Sequence, residues 1–330
     1  MIEQQKFALL FPGQGSQKKG MGYELAKRSS VASRTFEEAD RVCRDLNLGF
    51  LVTEVCFDDP KGQLEGDSAD TSVIQPCLLT VCVAVVRHLK EQGVPPADIH
   101  LGHSTGKYSA LVASDSLDLS TGIEFVSQRG IVMKEAKDDL GTIVGLVRGL
   151  DHPKIKEVLL DLTERVGLQD TDLRPALTVV NSRVQSMIVV PAHLWDRASE
   201  ALRSAGAKVN SYKNAPPSHY YGLAEAQERL NRFRLSLKRP NVPILDDLTN
   251  NILERVEDIE VSVSRHLIAP IFWRANLNFL EREGIVYAIE VGPGKVLQGI
   301  AAQEYPGLHV DTTDTMESIE NICAGYVPIG

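Results

Sequence analysis

Ile99-His100-Leu101-Gly102-His103-Ser104-Thr105-Gly106-Lys107-Tyr108-Ser109-Ala110-Leu111-Val112-Ala113 reads as a short strand, a tight turn and a helix. The turn carries a G-x-S-x-G pattern, Gly102 to Gly106. A sharp strand-to-helix bend strains the backbone at the serine and leaves no room for side chains beside it, which is a physical reason for a glycine on each side. Ser104 Oγ is then expected in the open at a helix N-terminus, where backbone N–H groups and the helix dipole can stabilise an oxyanion. The plainer alternative is that Ser104 only caps the helix.

Upstream, Phe7 to Phe11 (FALLF) is a continuous apolar run followed by Pro12, Gly13 and Gly15, as for a buried parallel strand ending in a tight loop. Gln75 to Gln92 has apolar residues at Leu78, Leu79, Cys82, Val85, Val86 and Leu89, one face at a helical period. Strand, turn and helix thus alternate, which predicts an α/β fold with a mainly parallel sheet. From Gly141 to Tyr212 the order becomes strand, helix, strand, strand, helix, strand. That βαββαβ order is the ferredoxin-like split motif, and it predicts a small domain over residues 141–212 inserted into a larger one made of 1–140 and 213–330. The chain then returns to the first pattern with Val242 to Leu245, a helix around Asn276 to Glu283, and Val286 to Val291 ending in GPGKVL. This last strand is expected beside the first ones, with glycine-rich loops at the carboxyl edge where such sheets place their sites.

The 330 residues are 43% hydrophobic and 24% charged, enough for a sizeable core. Thirty-five Lys plus Arg against 44 Asp plus Glu leave a net charge of -9, which disfavours nucleic acid or an anionic membrane as partner. The longest apolar stretch, Cys77 to Val86, falls far short of the roughly 20 residues that cross a bilayer. No export leader is visible in the first residues, so a cytoplasmic protein, and a monomer, are expected. The five cysteines, Cys43, Cys56, Cys77, Cys82 and Cys323, form no CxxC pair and read as reduced packing residues, with no metal site expected. Gly13-Gln14-Gly15 and Gly292-Pro293-Gly294-Lys295 do not fit nucleotide-binding loops.

A serine hydroxyl needs a base at neutral pH. Of eight histidines, His88, His100, His152, His193 and His309 have ordinary neighbours. His103 adjoins the serine and is expected to brace the turn. His219 follows Pro216, Pro217 and Ser218 in a loop leaving the small domain, from which it could reach over the carboxyl edge. His266, in RHLIAPIFW, is the other candidate.

Six motifs in order, FPGQGSQ (11–17), Gln75-Pro76, GHSTG (102–106), Gln128-Arg129-Gly130, PIFW (270–273) and EVGPGKVL (290–297), together resemble the malonyl-CoA:acyl carrier protein transacylases. The resemblance spans about residue 7 to about residue 300 and extends to the acyltransferase domains of polyketide synthases. It implies an α/β hydrolase-like large domain with a parallel sheet and a ferredoxin-like insertion. It also implies that Ser104 is the acyl-bearing nucleophile and His219 its base, with the oxyanion held by the backbone N–H groups of Gln14 and Thr105. Arg129 would then clamp the free carboxylate of a malonyl group, for which a planar guanidinium is suited. Gln75 and Asn181 would line the site, unless they satisfy backbone groups. Acyl-coenzyme A would be the substrate and an acyl carrier protein the partner, with no permanently bound cofactor.

Three positions depart from the family pattern. Lys107 replaces the usual Glu near a helix N-terminus, where a cation is unfavourable; either a nearby anion such as a phosphate or plain solvation would account for it. His266 stands where a glutamine usually orients the catalytic histidine. Ser218 stands where malonyl-specific members usually carry Phe, so a branched or longer acyl group could fit, and the departures together tilt towards a specialised polyketide acyltransferase. An acyl carrier protein hydrolase on the same fold and a non-catalytic carrier-docking module are the alternatives. The presence of Arg129 ranks the first second, and intact Ser104 and His219 speak against the other.

Overall fold

The computed structural model describes residues 6–169 and 173–326. The leader expectation falls partly on residues 1–5, outside that range. Strand β1 (Phe7–Phe11) is buried throughout: Phe7, Leu9 and Phe11 face one core while Ala8 and Leu10 face another. A strand covered on both faces explains why its sequence is uniformly apolar. Helices α1 (Tyr23–Arg28), α2 (Ser30–Asp45) and α3 (Val52–Phe57) lead to the long α4 (Thr71–Glu91). The Asp70 carboxylate starts α4 by accepting the Ser72 N–H at 3.0 Å. By length and apolarity α4 could cross a membrane, contrary to the sequence expectation of a ten-residue apolar stretch. The period count misses its first turn, and 83% of its most apolar window is buried inside the protein, so this apolarity serves the core.

Strand β2 (Ile99–Gly102) runs into α5 (Gly106–Ala113), and α6 (Leu119–Leu140) follows, capped by the Asp118 carboxylate on Thr121 N–H. At Gly130 a Cβ would sit 2.4 Å from Ser72 Cα, so only glycine lets α6 lie this close to α4. That approach sets the adjacent Arg129 against Gln75.

Between residues 142 and 212 come β3 (Thr142–Arg148), α7 (His152–Val166), β4 (Ala176–Ser182), β5 (Gln185–Pro191), α8 (Trp195–Ser204) and β6 (Lys208–Tyr212). They form an antiparallel sheet in the order β4-β5-β3-β6. Ile155, Leu159, Trp195 and Leu202 of its helices pack on Val147, Val180 and Ile188 to give it a core of its own. Backbone hydrogen bonds from Val180 N to Ile271 O and from Ile271 N to Thr178 O join β4 to the rest of the chain.

The remaining elements are α9 (Ala224–Asn231), β7 (Ile244–Leu245), β8 (Ile252–Leu253), α10 (Val256–Val263), α11 (Trp273–Arg282), β9 (Tyr287–Glu290), α12 (Val296–Glu304), β10 (His309–Thr312) and α13 (Met316–Tyr326). The main sheet has the order β10-β9-β1-β2-β7-β8, parallel except for β8. β9 lies directly beside β1, while β10 extends the sheet by an edge strand that the sequence pattern does not announce. Phe11 pairs with Gly102 and Leu101 with Leu245, so the loops after β1, β2 and β7 open at one carboxyl edge. All five cysteines are buried and unpaired.

Candidate active site

Ser104 sits at that edge with φ 53°, a left-handed conformation that costs a residue with a side chain about 1–3 kcal/mol. The bend is enforced by packing, because a Cβ at Gly106 would lie 2.1 Å from Phe11 O. The same approach holds the loop after β1, with Gln14, against the turn. Ser104 is half-buried, and its Oγ lies 2.7 Å from His219 Nε2. His219 also has a positive φ, 55°, and arrives on the loop between β6 and α9. The two residues are 115 positions apart in sequence.

His219 is buried, and its pKa is lowered well below 6.5 by burial first, then by His266 and Arg129. It is therefore a neutral imidazole at neutral pH, able to accept the Ser104 proton. Its Nδ1 meets no hydrogen-bond partner among the described residues. His266 meets it ring to ring, with centroids 5.0 Å apart at 72°, and makes no hydrogen bond to it. The nitrogens of His266 are engaged elsewhere: Nδ1 lies 3.1 Å from the Tyr108 hydroxyl and Nε2 3.2 Å from Asp247 Oδ2. Burial and then the Lys107 charge push the His266 pKa down to about 4, so the neutral ring donates from Nε2 and accepts at Nδ1.

Neither the Thr105 nor the Gln14 amide has an acceptor among the described residues, and Thr105 Oγ1 donates to Gln75 Oε1 at 3.1 Å. Gln75 is a hub. Its Oε1 also accepts Arg129 Nη1 at 2.9 Å, and its Nε2 donates to Thr71 Oγ1, which in turn donates to Gln14 Oε1 at 2.6 Å. Arg129 is 2% exposed; its Nε and Nη2 meet no hydrogen-bond acceptor among the described residues, and the guanidinium lies 5.9 Å from the centroid of the Tyr108 ring. Asn181 does not satisfy backbone groups: its Oδ1 lies 2.8 Å from His103 Nε2, and the His103 ring meets Trp273 edge-on. Ser218 is half-buried immediately before His219.

At Lys107 the expected nearby anion is a pair of carboxylates from the chain itself, and solvation is not the explanation. Lys107 is 1% exposed. Its Nζ lies 2.7 Å from Asp246 Oδ1, 2.8 Å from Asp247 Oδ1 and 2.6 Å from Ser262 Oγ. Burial alone would lower its pKa, but Asp247 and Asp246 outweigh that and raise it. For Asp247, burial would push the carboxyl up; Lys107 and then His266 more than offset this and hold it well below the usual carboxylate range. Asp247 Oδ2 also accepts the amide of Ser104 itself at 3.0 Å. The motif search passes over this pair because it scores residue types at fixed spacing. The available signal is positional: two acids directly after the apolar VPIL strand, at the edge where the serine turn opens.

Among the described residues no three His, Cys, Asp or Glu side chains are grouped to hold a metal. A half-buried hydroxyl on a strained turn, against a neutral imidazole and beside two unengaged amides, is equipment for group transfer through an activated serine. Residues 8–151 match the acyl transferase domain family. Over 321 residues the chain is 32% identical to the malonyl CoA-acyl carrier protein transacylase of Bacillus subtilis, covering 96% of this chain and 95% of that protein. The solved structure of the corresponding transacylase from Coxiella burnetii superposes with a TM-score of 0.88 at 26% identity over 97% of each chain. A malonyl-transacylase solved with a type II polyketide synthase acyl carrier protein gives 0.87 at 28% identity, covering 97% of this chain and 99% of that one. The protein is an acyltransferase. It belongs to the malonyl-CoA:acyl carrier protein transacylase family.

Proposed function

We propose that this protein moves a malonyl-type acyl group from coenzyme A to the phosphopantetheine thiol of an acyl carrier protein, through an ester on Ser104. Ser104 Oγ attacks the thioester carbonyl as its proton passes to His219 Nε2, and the Gln14 and Thr105 amides hold the oxyanion. The C–S bond breaks, and the coenzyme A thiolate takes the proton back from His219. The carrier thiol then gives its proton to His219, attacks the ester and displaces Ser104, whose oxygen recovers the proton. Residues 141–212 are read as a ferredoxin-like domain inserted into an α/β hydrolase-like domain of 1–140 and 213–330, with β6 delivering His219 to the site.

The observation that carries this reading is Arg129, a buried guanidinium tied through Gln75 to Thr105, with Nε and Nη2 left without an acceptor among the described residues. Two such donors suit a carboxylate bidentately, which favours malonyl over acetyl groups and transfer over hydrolysis of neutral chains. Ser218, in place of an aromatic ring, leaves room for a branched malonyl group. A cavity of about 340 Å³ lined by Asp70, Thr71, Lys134, Lys137 and Pro216 reaches Gln14 through the Thr71 hydroxyl, with Lys134 paired to Asp70.

Intact-protein mass after incubation with acetyl-, malonyl- and alkylmalonyl-coenzyme A tests the reading. Malonyl groups should load, and Arg129→Ala should slow malonyl loading about a hundredfold while sparing acetyl loading. Equal slowing of both would remove the clamp from the account. Because burial depresses the His219 pKa, the base stays unprotonated into mild acid, and the acid limb of kcat/KM is expected below pH 6.5. A limb above that value would mean that another group limits the reaction.

A further inference from the structure

We propose that Asp247 is a positioning residue of this site: its carboxylate, seated on the Ser104 amide and the His266 ring and locked by Lys107, fixes the serine turn and favours the imidazolium of His219 without touching it. This rests on Ser104 and His219 acting as nucleophile and base.

Three groups converge on this one side chain: the Ser104 N–H and His266 Nε2–H donate to Oδ2, and the Lys107 ammonium forms an ion pair with Oδ1 at 2.8 Å. Only an acceptor-only group satisfies all three. An asparagine would turn its amide N–H₂ towards at least one donor, leaving two donors facing each other in a buried space. The bond to the Ser104 amide is charge-assisted and so stronger than a neutral one, which offsets the strain at a left-handed serine. It also settles which amides remain for an oxyanion: that of Ser104 is engaged, while those of Thr105 and Gln14 are not.

The second half of the role is electrostatic. His219 Nδ1 has no acceptor among the described residues, so no carboxylate contacts the base directly. His266, Arg129 and His103 all oppose protonation of the ring, and Asp247, reached through Ser104 on one side and His266 on the other, favours it. Lys107 and Tyr108 stand behind, on Asp247 and His266 respectively. Asp246 shares Lys107 but otherwise binds Ser262 and the N–H and hydroxyl of Thr249, and it reaches neither Ser104 nor His266. The two adjacent acids are therefore separable in experiment.

Labelling of the full chain by diisopropyl fluorophosphate, followed by intact mass across pH, reads the Ser104–His219 pair without an acyl substrate. Asp247→Asn should slow labelling about tenfold to a hundredfold and move its acid limb down by about one pH unit, because the imidazolium loses its favourable charge. Asp246→Asn should keep the wild-type limb. Should Asp247→Asn not fold, the triple variant Lys107→Met/Asp246→Asn/Asp247→Asn, which strands no buried ion, should show the same downward limb, since the carboxylate that favours the imidazolium is gone. Wild-type labelling in Asp247→Asn, equal losses in both Asn variants with an unmoved limb, or an unmoved limb in the triple variant would overturn the proposal. Labelling and transfer retained in Ser104→Ala would instead sink the nucleophile reading, and this proposal with it.

Discussion

Replacing Ser104 by alanine is expected to abolish the acyl-enzyme and lower acyl transfer by at least about 10⁴-fold, and His219→Ala by a comparable factor. The double variant should be hardly worse than either. The reason is geometric: a hydroxyl 2.7 Å from a neutral imidazole is a nucleophile only while that imidazole can take its proton, so removing either partner removes the same event. The amides of Gln14 and Thr105 and the Arg129 guanidinium survive both substitutions, and whatever rate they sustain sets the shared floor. Steady-state transfer from malonyl-coenzyme A to a holo carrier protein, with intact mass to detect the ester, provides the measurement. Losses that multiply in the double variant would show the two groups acting independently, which the proton relay does not allow.

The backbone elements that build this pair are largely legible in the sequence, whereas the electrostatics beneath it are not. FALLF declares itself by continuous apolarity, the strand before GHSTG by its place ahead of a glycine-flanked bend, and the alternation of residues 142–212 by its periods, because burial on both faces or on one dictates those patterns. The ends of the elements shift by a residue or two, as at Ile244–Leu245 within the expected Val242 to Leu245, since ends depend on hydrogen bonds that periodicity does not encode. Helix α6 is the main element that no amphipathic stripe reveals: buried against α4 over much of its length, it has no simple polar face to read. Ser104, His219 and Arg129 are recognisable through motifs. Lys107 is visible as an anomaly, yet its explanation lies 139 residues away in Asp246 and beside it in Asp247, a pairing created by the parallel register of β2 with β7. Local sequence shows two acids after VPIL but not that they meet Lys107. The same holds for the contact of His266 with Tyr108 and Asp247, which turns an expected orienting group into a packed bridge.

Lys107→Met should then destabilise the protein by about 3–5 kcal/mol at neutral pH, read as a lowered midpoint in urea or heat, although the substitution removes only one charge. In the native protein the ammonium lies between two wholly buried carboxylates, within 2.8 Å of each. Without it Asp246 and Asp247 are left as like charges in a space that excludes water, and burial then raises the pKa values that Lys107 holds down. The sign of the pH dependence follows. The depressed native carboxylates contribute stability that is present above their unfolded value of 3.8 and lost as pH falls through the still lower folded values. In the variant those folded values rise, so its deficit should be largest near neutrality and shrink towards about pH 4 as the carboxylates take up protons. Adding Asp246→Asn and Asp247→Asn to Lys107→Met removes the stranded charges and should restore most of the midpoint, because a neutral cluster has no desolvated ions to compensate. That triple variant should nevertheless react slowly, since an uncharged amide in place of the Asp247 carboxylate gives the Ser104 N–H a weaker acceptor and no longer favours a charged His219. Recovery of stability without recovery of rate would separate what the ion cluster does for the fold from what one of its carboxylates does for the serine; a Lys107→Met midpoint unchanged at pH 7 would show that the cluster does not stabilise the fold.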